Sequence, residues 1–182
     1  MNTATMSKQQ LRDWIRQQKR LYTSEELRQL SAVKEGMLLA HPRVQHAQTI
    51  LLYHSLPDEV CTHRAIERLT AQGKTILLPR VVDGERMEIR RYTGPADLRE
   101  SSYHIMEPTG PLFTSYPEIE VVVVPGMAFD RHNHRLGRGR GYYDRFLKLI
   151  PQARKLALCF DFQLFDTIPA GPYDVPMDEI FG

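Results

Sequence analysis

The chain is 182 residues long, 42% hydrophobic and 25% charged, which is the make-up of an ordinary globular protein and excludes a disordered or low-complexity scaffold. Lys+Arg 24 against Asp+Glu 22 leaves a net charge of +2, too balanced for a protein held on nucleic acid by bulk field alone. Apolar runs such as Val121–Val124 fall far short of the ~20 residues a membrane span needs.

The opening residues, Met1 to Lys8, lack an apolar stretch followed by a small-residue cleavage site, so no secretory signal is expected. Leu11, Trp14 and Ile15 fall at i, i+3 and i+4 among basic residues and predict a first helix. Thr23-Ser24-Glu25-Glu26 is a capping-box signature for a second, in which Leu27, Leu30, Val33, Met37 and Leu38 continue at helical spacing until Pro42. Thr49–Tyr53 reads as a strand. Thr62 is placed to cap a helix carrying Ala65, Ile66 and Leu69 and ending at Gly73, and Thr75–Leu78 reads as the next strand. Strand, helix and strand with short links imply a right-handed βαβ unit and a parallel sheet. Asp83-Gly84 predicts a hairpin turn before Met87–Ile89, and residues 93–118 read as loop. Val121–Val124 suits a central strand buried on both faces. A glycine-rich loop, a helix over Tyr142–Ile150, a strand over Lys155–Cys159 and a polar, proline-bearing tail after Gln163 complete the chain. The expectation is one compact α/β domain, 1–182. Cys61 and Cys159 show no metal-type spacing, which suits two reduced thiols in a cytoplasmic protein.

The chemistry concentrates in Arg135-Leu136-Gly137-Arg138-Gly139-Arg140-Gly141-Tyr142-Tyr143-Asp144. Glycines let a ligand approach the backbone, successive N–H groups form an anion-binding nest, and the following helix adds its positive end. Arg138 and Arg140 supply forked donors for phosphate oxygens, each charged hydrogen bond contributing roughly 1.5–3 kcal/mol. The pattern is neither a P-loop nor a dinucleotide fingerprint. Asp144 opens the next helix, where an aspartate serves the helix dipole or holds Mg²⁺ equally well. Asp130 reads as a structural residue orienting the glycine segment. Lys8 and Arg12 share a helix face that either meets solvent or clamps a phosphate tail. Glu59 lies just beyond a strand's carboxyl end, either as an exposed turn residue or as an acceptor for donors on a heterocycle. The seven histidines show no zinc-type spacing, and no nucleophile elbow is present.

Pro125-Gly126-Met127-Ala128-Phe129-Asp130 followed by Arg135–Asp144 resembles the signature of the 5-formyltetrahydrofolate cyclo-ligase family. The basic first helix, the Ser55-Leu56-Pro57-Asp58-Glu59 loop and the closing Tyr173-Asp174-Val175-Pro176-Met177-Asp178 fall in the family's order; only residues 83–118 match loosely. Asn133 stands where the family usually has glycine, and asparagine tolerates the left-handed conformation better than most residues. The resemblance implies ATP- and Mg²⁺-dependent conversion of 5-formyltetrahydrofolate to 5,10-methenyltetrahydrofolate through an iminium phosphate, with ADP and phosphate released. It also implies a three-layer α/β/α sandwich with a largely parallel central sheet, like that of sugar-phosphate isomerases and CoA transferases. By position, ATP would be bound by Lys8, Gln9, Gln10, Leu11 and Arg12 with Arg135, Leu136, Gly137, Arg138, Gly139, Arg140, Gly141, Tyr142 and Tyr143. Arg138 and Arg140 would be catalytic, steadying the transferring phosphoryl group. His54 and Glu59, with Arg138, Gly139, Arg140, Gly141 and Tyr142, would contact the folate, and Asp144 and Asp174 would hold Mg²⁺. The expected partners are these small molecules alone, with no nucleic acid and no membrane, on a monomer. Two other readings compete: a sugar-phosphate isomerase using the same nest, and an RNA or DNA binder using the Gly-Arg run with Tyr142-Tyr143 as stacking platforms.

Overall fold

Two reciprocal capping boxes open the first two helices of the structure, a computed structural model that describes residues 3–100 and 106–182. At the start of α1 (Lys8–Lys19) the Ser7 hydroxyl accepts from the Gln10 N–H while the Gln10 side chain accepts from the Ser7 N–H. Thr23 and Glu26 exchange the same pair of bonds at the start of α2 (Ser24–Ala40), as the sequence predicts. Pro42 does more than end α2. It takes the first turn of a short helix, α3 (Pro42–His46), where its missing N–H leaves nothing unpaired.

The chain continues through β1 (Thr49–Leu51), α4 (His63–Ala71), β2 (Thr75–Val81) and β3 (Met87–Tyr92). The stretch expected to be loop instead carries an antiparallel pair, β4 (Leu98–Glu100) with β5 (Met106–Pro108), and two 3-10 turns. Residues 101–105 of that stretch, like Met1 and Asn2, lie outside the described residues. β6 (Val121–Val124) leads into a hairpin of β7 (Ala128–Asp130) and β8 (Arg135–Leu136), followed by α5 (Tyr142–Leu147), β9 (Arg154–Leu158), β10 (Leu164–Phe165) and β11 (Glu179–Phe181). α5 is thus shorter than the periodicity implies, and β2 longer.

Six strands form the central sheet in the order β11–β9–β6–β1–β2–β3. Every neighbouring pair is parallel except β2–β3, which turns at Asp83-Gly84. Two expectations need correction. The tail is not simply a polar connection, because β11 pairs with β9 as a sheet edge and β10 pairs with β7. The segment after β6 begins as a hairpin rather than a loop, because Ala128 and Phe129 pair with Leu136 and Arg135. At its turn Asn133 adopts φ 66°, the left-handed conformation expected of it.

Alternate strand residues face opposite cores. Ile50, Leu52, Ile76, Val121 and Val123 pack with Leu38, Val44 and Leu69 from α2, α3 and α4. Leu51, Leu77, Val122 and Val124 pack with Phe146 and Leu147 from α5. A third cluster holds Leu11 and Ile15 of α1 against Met127, Ala128 and Leu136, which docks α1 on the hairpin. The face α2 presents inward is a surprise. Leu30, Val33 and Met37 are exposed, while Ser31, Lys34 and Glu35 are buried. Each buried group is satisfied: Ser31 Oγ donates to Leu27 O and accepts from the Cys61 N–H, Lys34 pairs with Asp161, and Glu35 accepts from the Ala65 N–H. Glu35 therefore supplies the acceptor at the start of α4 that Thr62 was expected to supply, since the Thr62 hydroxyl donates to Tyr53 O instead. Gly73, at φ 80°, stands just past the end of α4 as expected.

Leu69 is fully buried and Val33 is 63% exposed although both sit on helices. Leu69→Ala should lower the unfolding free energy by about 2–5 kcal/mol and Val33→Ala by less than about 0.5 kcal/mol, measured by chemical denaturation.

Candidate active site

The carboxyl end of β6 delivers Pro125 and Gly126 to a cavity of about 500 Å³. Glycine is required at 126, where a Cβ would lie 2.4 Å from the Phe129 ring. The hairpin then returns the chain, and Gly137–Gly141 runs along the cavity to α5. Gly139 (φ 109°) and Gly141 (φ 69°) adopt backbone conformations that side chains disfavour. The backbone N–H groups of Arg138, Gly139, Arg140 and Gly141 donate to no other described residue. A run of unbonded amides leading into a helix start has the donors an anion nest requires.

Arg135 closes the base of this loop. Its side chain is 3% exposed, with Nη2 donating to Asp144 Oδ1 at 2.7 Å and Nη1 to Pro125 O at 3.4 Å. Asp144 Oδ1 also accepts from the Val175 N–H at 3.2 Å. From α1, Arg12 Nε donates to Gly137 O at 2.8 Å, and Lys8 pairs with Asp174, whose Oδ2 also accepts from the Gly171 N–H. Burial pushes the Asp174 carboxyl up, but Lys8 and the Gly171 N–H outweigh it and hold it below its ordinary value.

Arg138 reaches across to the loop after β1. Its Nε and Nη2 donate to Glu59 Oε1 at 3.2 and 2.8 Å, and Nη2 also to Asp58 Oδ1 at 3.1 Å. Asp58 Oδ2 pairs with Lys19 at 3.0 Å. Burial would raise the Asp58 carboxyl, but Lys19 and Arg138 prevail and lower it. Burial likewise depresses Arg138, while Glu59 and Asp58 raise it on balance. Arg140 differs: it lines the cavity, is exposed, and its guanidinium has no hydrogen-bond or ion-pair partner among the described residues.

The structure therefore gathers Lys8, Arg12, Glu59, Arg135–Asp144 and Asp174 around one cavity. Three of the expected residues do not line it. Gln9 bonds Asp13, Gln10 caps α1, and Leu11 is fully buried in the third core. Nor does His54, whose ring stacks on His63 with centroids 3.9 Å apart. Asp130 is buried and accepts from the His132, His134 and Ile168 N–H groups, the structural role expected of it. Tyr142 ties α5 to the β2–β3 turn by donating to Asp83 O, and the buried Tyr143 hydroxyl has no partner among the described residues. Sequence reasoning missed Lys19 and Asp58, because nothing in their spacing links a helix end to a loop 39 positions away.

The signature of the 5-formyltetrahydrofolate cyclo-ligase family matches residues 4–182. The chain belongs to that family. It is an enzyme of the family, which decides among the three readings in favour of the cyclo-ligase. It is 30% identical over 191 residues to the 5-formyltetrahydrofolate cyclo-ligase of Mus musculus, covering 98% of this chain and 94% of the mouse protein. With the Escherichia coli K12 cyclo-ligase it shares 27% identity over 172 residues, 91% of this chain and 94% of that protein. The solution structure of Aquifex aeolicus 5,10-methenyltetrahydrofolate synthetase superposes with a TM-score of 0.84 at 31% identity, over 96% of this chain and 89% of that one. The Mycoplasma pneumoniae 5,10-methenyltetrahydrofolate synthetase does so with a TM-score of 0.78 at 26% identity, over 97% and 98%. Among the described residues no helix is long and apolar enough to cross a membrane.

Burial, then the neighbouring His63, lowers the His54 pKa from 6.5 to about 4, so His54 is neutral in the folded protein at pH 7. A lowered value means that the unfolded chain binds the proton first. This stability is present above pH 6.5 and is lost as pH falls through the window between 6.5 and 4. Melting-temperature profiles should show His54→Gln losing less stability than wild type across that window.

Proposed function

We propose that this enzyme closes the imidazoline ring of 5-formyltetrahydrofolate at the expense of ATP, giving 5,10-methenyltetrahydrofolate, ADP and phosphate. The observation that carries the reading is the meeting, in one cavity, of the unbonded amides of Arg138–Gly141, the unpartnered Arg140 and the carboxylate of Glu59. A formamide carbon is a weak electrophile and its oxygen a poor leaving group. Attack of that oxygen on the γ-phosphorus expels ADP and leaves an iminium phosphate. N10 of the same molecule then attacks the activated carbon and loses its proton, and phosphate departs as the ring's amidinium forms. No protein nucleophile is needed. The chain supplies position and countercharge.

In this reading Lys8 and Arg12 hold the polyphosphate from α1, and the glycine-loop amides line it from β8 to α5. Arg138 and Arg140 stabilise the transferring phosphoryl group, and Glu59 accepts from donors on the pterin. His54, set apart from the cavity, makes no direct contact. No described cluster of three or more His, Cys, Asp or Glu suits a metal by itself. Asp144 Oδ2 and Asp174 Oδ1, however, have no hydrogen-bond partner among the described residues, and both side chains line the cavity. Two carboxylates with a spare oxygen each fit Mg²⁺, which takes one or two carboxylates and completes its shell with phosphates and water. Mg²⁺ held there would neutralise phosphate charge. We also read the architecture as the three-layer α/β/α arrangement of sugar-phosphate isomerases and CoA transferases, since helices pack on both faces of the sheet.

The near-ultraviolet absorbance of the conjugated methenyl product provides the assay. Product should form from 5-formyltetrahydrofolate only with ATP and Mg²⁺ together. Formation without ATP, or none with it, overturns the reading. Arg140→Ala should lower kcat by about a hundredfold or more while leaving the melting temperature within a few degrees, because an exposed loop arginine contributes little to the fold. Activity within a few-fold of wild type would displace Arg140 from the phosphoryl group.

A further inference from the structure

The two arginines of the glycine loop are held in different ways, and the difference starts outside the cavity. Lys19 is the last residue of α1, where solvent would ordinarily receive a lysine, yet its side chain is 5% exposed. Its ammonium donates to Asp58 Oδ2 at 3.0 Å, and burial lowers its pKa against the raising influence of Asp58. A buried ammonium persists as a charge only when a carboxylate compensates it. Asp58 has a second oxygen, and that oxygen takes Arg138 Nη2. Glu59 is divided similarly, with Oε1 on Arg138 Nε and Nη2 and Oε2 accepting from the Leu56 N–H of its own loop. Two cations and two carboxylates thus link the end of α1, the loop after β1 and the glycine loop. The guanidinium of Arg138 is gripped along one edge, while its Nη1 has no partner among the described residues.

We propose that Lys19 and Asp58 are positioning residues for Arg138. Lys19 occupies one Asp58 oxygen and so orients the other toward Nη2. Asp58 and Glu59 then fix the plane of the guanidinium and leave Nη1 as its one unengaged nitrogen. The wiring rests on the reading of Arg138 as a residue that meets the phosphoryl group. A long arginine on a glycine-rich loop otherwise samples many rotamers, and ordering it only as charge develops would subtract from the stabilisation it offers. Arg140, with no such tether, makes the initial contact with the polyphosphate. Arg138 is the preset one. Lys19 lines no part of the cavity, so its influence on the reaction passes through Asp58.

A double-mutant cycle tests this. Lys19→Met and Asp58→Asn are made in wild type and in Arg138→Ala, with melting temperatures recorded for all. Each single variant should lower kcat about tenfold while the KM for ATP changes less than threefold, and neither should lower it further once Arg138 is alanine. Lys19→Arg, which keeps the charge, should recover most of the loss. Equal losses with and without Arg138, or singles as active as wild type, overturn the wiring. A second readout is independent of turnover: the Nη2 proton resonances of Arg138, the nitrogen that Asp58 holds, should exchange slowly with water in wild type and fast in Lys19→Met and Asp58→Asn. Slow exchange in both variants overturns the wiring whatever the enzyme catalyses. Fast exchange in the variants alongside a fully active Arg138→Ala overturns the catalytic reading of Arg138 and leaves the wiring a purely structural link.

Discussion

A buried guanidinium gives the loop its base. Arg135 joins the end of β6, through Pro125 O, to the start of α5, through Asp144, and Asp144 in turn fastens the segment carrying Val175. Arginine suits this position because its planar fork reaches a carbonyl and a carboxylate at once, which a lysine's point charge does not. Removing Asp144 would leave the buried charge of Arg135 uncompensated, at a cost of roughly 3–5 kcal/mol. The same side chain explains a glycine: a Cβ on Gly137 would lie 2.7 Å from Arg135 Nη1. With both ends of the loop held by side chains, the amides between them carry no structural duty and stay free for an anion.

The cavity is rich in cations yet nearly balanced. Lys8 faces Asp174, Arg135 faces Asp144, and Arg138 faces Asp58 and Glu59. A cluster of uncompensated arginines and lysines would repel itself and destabilise the fold. Pairing them keeps the fold stable, and among the described residues it leaves Arg140, Arg12, whose guanidinium bonds only the Gly137 carbonyl, and the loop amides to attract an anion at first encounter. A polyphosphate meets these, and the open Nη1 of Arg138, without breaking an ion pair, whereas a contact with Lys8 competes with Asp174. The carboxylate it displaces has chemistry of its own in the proposed reading: Asp174 is released toward a divalent cation.

Local features were legible in the sequence. Capping is settled within three residues, so the start of α2 could be read from Thr23 and Glu26 alone. The β1–α4–β2 unit followed from apolar runs and a terminating glycine, and the glycine loop from its composition. What failed was set by distant partners. β7 and β8 are too short to show a period and exist because they pair with each other and because β7 pairs with β10. β11 reads as polar tail because a parallel edge strand takes its identity from its neighbour, here β9. The apolar spacing of α2 gave only part of its buried face: Leu27 and Leu38 are in the core, but the helix also buries polar groups that meet Cys61, Ala65 and Asp161. In the site the glycine loop was legible, but Arg138 and Glu59 meet across 79 positions, and no spacing rule reaches that far. His54 sits at a strand end, the favoured place for a binding residue, yet its ring turns to His63.

α1 shows how one short element organises the rest. Lys8, Arg12 and Lys19 fall at i, i+4 and i+11, which places all three within about 40° of one another around the helix. Leu11 and Ile15 form the adjacent stripe and pack on the hairpin. Docking the apolar stripe therefore sets the direction of the charged one. The helical rise separates Lys8 from Lys19 by about 16 Å, so a single rigid rod reaches Asp174 with one end and Asp58 with the other, and touches Gly137 O between them. The segments it touches come from a loop after β1, a loop after β8 and the chain before β11, and the sheet alone does not hold their tips together. The apolar contact of α1 with the hairpin and its three polar contacts are thus one device: burial supplies the fixed axis, and the cations on that axis fix where the carboxylates and the glycine loop stand.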